Sequence, residues 1–112
     1  MRASNYDSQV LNRGFGSSML ILLSLAGGEK HGYALVKDVE SFADTHIAPG
    51  TLYEALARLQ RQQLIEPVFC NERRRPYRLT AMGRMVLSEH VYSQRRIADI
   101  GIRRLRYAWG VA

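Results

Sequence analysis

Leu87, Val91, Ala98, Ile102, Leu105 and Trp109 recur at helical spacing through the last third of the sequence, on a stripe broken by Gln94. Nothing else in the chain restricts the fold as strongly. A helix from Ala81 to Trp109 would be ~42 Å long at ~1.5 Å rise per residue, more than so small a domain can cover. The chain has 112 residues, room for one domain. Its composition is 46% hydrophobic, enough for a true core and too much for wholesale disorder. A domain of this size buries only a modest share of its surface, so a core shared with a second copy would help it. The stripe residues are therefore the candidate dimer contact.

The preceding segments read as separate elements. Residues 1–13 are polar and weakly patterned, an arm. Gly14 and Gly16 punctuate, Ser17 and Ser18 offer a cap, and Met19–Ala26 is apolar nearly all round, as a buried helix is. Gly27 and Gly28 stop it. A second helix spans His31–Phe42, with Leu35, Val39 and Phe42 inward and Lys37, Asp38 and Glu40 toward water. Ser41–Ile47 lacks a pattern and reads as a connector. Pro49 then opens a third helix, where its missing N–H costs nothing, and Leu52, Ala55, Leu56 and Leu59 form its buried stripe. From Leu64 to Cys70 the pattern turns β-like, with Pro67 confining the strand to an edge. Asn71–Arg75 is a charged turn, Tyr77–Thr80 a return strand, and Thr80 can cap the last helix. The expectation is a mainly α fold with a small β hairpin: an arm over 1–13, a winged helix-turn-helix over 14–80, and a long C-terminal dimerisation helix over 81–112.

Charge narrows the partner. The net charge is +6 and the pI about 10.0, which favours polyanions: nucleic acid, or less often an anionic membrane face. Residues 1–50 carry four Lys/Arg against five acids, whereas residues 51–112 carry twelve Arg against five acids. Arginine supplies a planar fork suited to phosphates and guanine edges. A solvated basic face, or codon bias, would give the same count.

Placement discriminates better than the count. Turning 100° per residue from Leu52, the face of the third helix away from its buried stripe carries Gly50, Glu54, Ala57 and Arg61, with Arg58 beside it. Small residues let the backbone approach a groove ~12 Å wide, and arginines reach base edges or phosphates. Thr51 and Tyr53 flank this face near the helix N-terminus, where hydroxyls and N–H groups can hold a phosphate. By itself this helix is also an ordinary amphipathic one. The hairpin tip tips the balance, because Arg73, Arg74 and Arg75 repel one another and gain nothing from the fold. Their natural partner is external, a phosphate backbone or minor groove.

Other chemistries find little to start from. One cysteine, Cys70, excludes an intrachain disulfide framework and a Cys-based zinc cluster, and fits a reducing cytoplasm. It reads as an inert thiol rather than a redox sensor, with nearby arginines the sole influence on it. His31, His46 and His90 have no second ligand at metal spacing, and His31 reads as a cap or turn residue. No paired carboxylates, nucleophile–base pair or phosphate loop supports an enzyme, and no cofactor is expected. Met19–Ala26 is far short of the ~20 residues that span a bilayer. It faintly imitates a signal peptide, against which stand Asp7 ahead of it and the core it would remove.

Several motifs also resemble one known family. Leu11-Asn-Arg-Gly14 with Met19–Leu23, His31-Gly-Tyr-Ala-Leu35, Pro49-Gly-Thr-Leu-Tyr53, Leu56, Leu59 and Leu64-Ile65, and Arg75-Pro-Tyr-Arg-Leu-Thr80-Ala-Met-Gly83 resemble the successive motifs of the PadR family of bacterial transcriptional regulators. The resemblance covers about residues 11–90. It implies a homodimer whose winged domains bind double-stranded DNA and whose C-terminal helices supply the dimer contact, as in the family's smaller subgroup. By position it implies that Tyr33, Thr51, Leu52 and Tyr53 face DNA and that Arg73–Arg75 form the wing; Lys37 completes the candidate set. Three positions depart from the pattern. Ala48 replaces a common serine cap. Glu54 replaces a frequent proline and sets a negative charge on the groove face, to accept from a cytosine N4 or to weaken binding. Gln63 replaces a glycine that often closes the helix, so the turn before the wing is a candidate for alteration.

The function this predicts is repression of transcription, by occlusion, from a pseudo-palindromic operator. Two alternatives stand beside it. One is a ligand-sensing regulator with a small aromatic effector between protomers, lined by Tyr92, Tyr107 and Trp109, residues that more plainly pack a dimer seam. The other is a winged-helix module that binds a protein instead of DNA.

Overall fold

The computed structural model describes residues 15–69 and 75–109. The arm over 1–13, Cys70, and the wing residues Arg73 and Arg74 lie outside the described residues. In chain order the elements are α1 (Ser17–Ala26), α2 (Gly32–Ala43), α3 (Pro49–Arg61), β1 (Ile65–Pro67), β2 (Tyr77–Leu79) and α4 (Ala81–Trp109).

Helix α1 is apolar all round because it is surrounded: α2, α3, α4 and β2 all touch it. Its Leu20, Ile21, Leu22 and Leu25 join Leu35 and Val39 of α2, Leu52, Ala55, Leu56 and Leu59 of α3, Ile65, Leu79 and Leu87 in one core. Among the described residues the one buried polar side chain, Ser24, donates to Asp38 Oδ2 at 2.7 Å. Lys30 closes the same end of the helix. Its Nζ donates to the carbonyls of Ser24 and Gly28 and lies 3.8 Å from Asp38, so a cation sits where the helix dipole is negative.

Several local expectations are corrected. Gly16, not Ser17 or Ser18, occupies the N-cap of α1, and no side chain caps it. His31 is the N-cap residue of α2, in line with its reading as a cap or turn residue, though without a side-chain capping bond. Phe42 was expected inside, yet it is exposed, because Val36 and Ala43 rotate the packed stripe of α2 away from it. Ile47, in the supposedly patternless connector, is a buried core residue. Pro49 does open α3, behind an Ala48 N-cap with no side-chain bond.

The hairpin pairs Ile65 with Leu79, Glu66 with Arg78 and Pro67 with Tyr77, antiparallel. A third segment escaped sequence reading. Lys30 N donates to the Tyr77 carbonyl at 3.2 Å and Tyr77 N to the Lys30 carbonyl at 2.9 Å. That exchange puts β2 in the middle and leaves Pro67 on the outer strand, where a missing N–H is tolerated.

Gln63 turns the chain from α3 into β1 at φ +62°. The left-handed turn forms although glutamine stands where glycine relieves a cost of roughly 1–2 kcal/mol. Thr80 braces it. Its hydroxyl donates to the Gln63 carbonyl at 2.6 Å, its N–H to the Leu64 carbonyl at 3.1 Å, and its Oγ1 accepts from Gly83 N at 3.0 Å. The last bond is the helix cap expected of this threonine.

Candidate nucleic-acid interface

Helix α3 buries Leu52, Ala55, Leu56 and Leu59 and leaves Gly50, Thr51, Tyr53, Glu54, Ala57 and Arg61 exposed. The outward face inferred from 100° steps is thus the outward face in space. Arg58 behaves differently. Its Nη2 donates to Ser18 Oγ on α1 at 2.7 Å, and its Nη1 lies 4.0 Å from Glu54 Oε1. Forty residues separate Arg58 from Ser18, so no local pattern could have announced the bond.

Beside this face, the start of α2, α3 and the hairpin enclose a cleft of about 510 Å³ lined by His31, Gly32, Tyr33, Tyr53, Leu56, Arg75 and Tyr77. The motif residues Tyr33, Tyr53 and Arg75, distant in sequence, therefore meet. Gly32 explains how. A Cβ there would stand 3.3 Å from Leu52 Cδ2, so the His31-Gly-Tyr33 turn packs directly onto the first turn of α3. Tyr33 and Tyr53 are each 65% exposed, and Lys37 Nζ sits 5.7 Å from the centre of the Tyr33 ring, a cation–π contact that holds a charge at the rim. His31 and Tyr77, neither of them among the expected DNA-facing residues, line the cleft as well. Arg78, by contrast, is engaged in holding the hairpin, 2.9 Å from Glu66 and 4.0 Å from Glu29.

On α4 the stripe divides. Leu87 is buried and Val91 packs on the same core, whereas Ile102, Leu105 and Trp109 are 49%, 60% and 75% exposed and Ala98 is open. Tyr92 and Tyr107 are exposed as well. At 100° per residue they lie off the stripe that carries Trp109, so one continuous helix does not gather the three aromatics into one pocket. Among the described residues no group of His, Cys, Asp and Glu side chains is placed to hold a metal ion, and no helix is long and apolar enough to cross a membrane.

Three helices, a hairpin with a basic side and a long closing helix define a winged helix-turn-helix DNA-binding protein. The chain belongs to the PadR-like family of transcriptional regulators, whose family model matches residues 21–89. Members of that family are DNA-binding regulators and not enzymes. The chain is 40% identical over 82 residues to a 37.1 kDa protein in transposon TN4556 of Streptomyces fradiae, a match covering 73% of this chain but only 24% of that longer protein. Among solved structures, a PadR family transcriptional regulator from Eggerthella lenta is 35% identical with a TM-score of 0.63, over 88% of this chain and 85% of that one. A PadR family regulator from a hypervirulent Clostridium difficile is 28% identical with a TM-score of 0.70, over 79% and 96%.

Proposed function

We propose that the chain represses transcription as a cytoplasmic homodimer that occupies a pseudo-palindromic operator and occludes it. The observation that carries the reading is the joined surface of α3 and its cleft: an exposed recognition face bearing Gly50, Thr51, Tyr53, Glu54, Ala57 and Arg61, continuous with Tyr33, Lys37 and Arg75. That face fits a major groove, small residues letting the backbone approach. Arg75, with Arg73 and Arg74 beside it in sequence, supplies the phosphate contact that fixes the helix in place. The uncovered length of α4 pairs with its symmetry mate, which sets two recognition faces on one duplex.

Selection of bound duplexes from a random library tests the reading. The expected product is two inverted half-sites with centres about one helical turn, ~34 Å, apart. Selection of a lone half-site would remove the dimer from the mechanism, and recovery of no sequence would remove the operator.

A further inference from the structure

We propose that Glu54 is a specificity-determining residue that reads the 4-amino group of a cytosine in the major groove. The inference rests on the DNA-binding reading above and adds the chemistry of one base. Glu54 lies in the second turn of α3, in the N-terminal half that enters the groove in helix-turn-helix docking. Its neighbours on the outward face are Gly50, one turn before, and Ala57, three residues on. Nothing lies within 4 Å of where a Cβ on Gly50 would be. A 79% exposed carboxylate therefore projects beyond a floor of small residues.

An acid on a surface that meets a polyanion weakens binding unless its charge is balanced. The structure balances it. Arg58 Nη1 lies 4.0 Å from Glu54 Oε1, and Arg58 is itself anchored by the 2.7 Å bond from its Nη2 to Ser18 Oγ. The guanidinium is a positioning group, tied to the body of the domain, and the pair enters the groove with little net charge. A carboxylate accepts hydrogen bonds and donates none. Adenine and cytosine both offer an amino donor in the major groove, but adenine sets its N7 acceptor beside the amino group, where it repels a carboxylate. Cytosine presents its N4 donor alone. The base this side chain selects is cytosine.

The test compares duplexes selected by the wild-type chain, E54Q and E54A, followed by binding titrations on the wild-type site. Wild type should favour cytosine at one position of each half-site by about 5- to 150-fold. E54A should lose that preference alone. E54Q, which offers an acceptor and a donor together, should shift the position toward adenine, whose N7 and N6 match it. Replacing the cytosine with a 2-pyrimidinone nucleotide, which lacks the 4-amino group, should weaken wild type and leave E54A unchanged. A merely structural role for Glu54 would move none of these preferences. If E54A instead binds every sequence more tightly by one common factor, the residue only tunes affinity and the proposal fails. A wild-type chain that selects no duplex would overturn the DNA-binding reading itself, and the assignment with it.

Discussion

Gly83 passes so close to Leu64 that a Cβ on it would run into the Leu64 carbonyl oxygen and stand 2.9 Å from the carbonyl carbon. The obstacle is backbone, which cannot swing aside. This contact gives the Thr80-x-x-Gly83 motif its physical meaning: the threonine ties down the turn at Gln63 and Leu64, and the glycine lets α4 lie against that turn. Gly83→Ala should therefore destabilise the fold by more than the ~1–3 kcal/mol of ordinary overpacking. Thermal unfolding of the variant measures it. A melting temperature within a degree or two of wild type would show that α4 can shift without cost.

Arg58 and Arg61 should separate in their effects. Arg58 bonds to Ser18 and approaches Glu54, whereas Arg61 stands exposed one turn nearer the end of α3. Arg58→Ala should lower stability by about 1 kcal/mol, the worth of a typical hydrogen bond, and Ser18→Ala should reproduce most of that loss. Arg61→Ala should leave stability unchanged and cost ~1–3 kcal/mol of binding, with relaxed preference at one operator position if it reads a base. Unfolding and binding titrations on the same variants settle the division. Because Arg58→Ala also leaves Glu54 unbalanced, it should weaken binding to all sequences alike. An Arg58→Ala chain of wild-type stability that loses preference at one operator position would reverse the roles.

The wing makes a different kind of prediction. Arg73, Arg74 and Arg75 are adjacent in sequence, and Arg75 is exposed at the edge of the cleft. Contacts to phosphate release counterions and carry no sequence information. Replacing all three with alanine should flatten the slope of log K against log salt by about 2–3 units and weaken all sequences alike. An unchanged slope in a folded variant would exclude the wing from the phosphate contact.

How much of this was legible in the sequence follows from where each determinant resides. Periodicity set the helices, because burial of Leu52, Ala55, Leu56 and Leu59 is a property of spacing. Pro49 and Thr80 marked helix starts through local chemistry that any sequence displays. The outward face of α3 was equally plain. What stayed hidden depends on distant segments meeting. The bridge from Lys30 to Tyr77, the bond from Arg58 to Ser18 and the burial of Ile47 all require the tertiary fold, and none leaves a periodic trace. Phe42 misled because a stripe read from spacing alone cannot say how far the helix is rotated, and Val36 and Ala43 decided that. The cleft sits between those cases. Its motifs were visible, but Gly32 against Leu52 is what brings Tyr33, Tyr53 and Arg75 together.

The terminal helix gives the most consequential prediction. Beyond Val91 the domain no longer covers it, and Ile102, Leu105 and Trp109 remain 49%, 60% and 75% exposed. A contiguous apolar surface of that length on a single chain is an aggregation hazard, whereas one paired with its symmetry mate completes a core. Full burial of a large apolar side chain is worth ~1.5–3 kcal/mol, and between 49% and 75% of each of these three is still to be covered. Because a two-fold axis counts every residue twice, the gain is of the same order as the ~4–15 kcal/mol that association costs. The balance is therefore close enough for two charges to tip it. Asp at Ile102 and Leu105 removes two apolar contacts per protomer and sets carboxylates into the seam, beyond the Arg95–Asp99 pair that already marks a solvated edge. The double variant should sediment as a monomer at micromolar concentration where wild type sediments as a dimer. It should also lose operator binding, although no residue of α3 or the wing has changed. Circular dichroism on the same sample separates a folded monomer from an unfolded chain. A wild-type protein that runs as a folded monomer would overturn both the pairing of α4 and the two-half-site mechanism that depends on it.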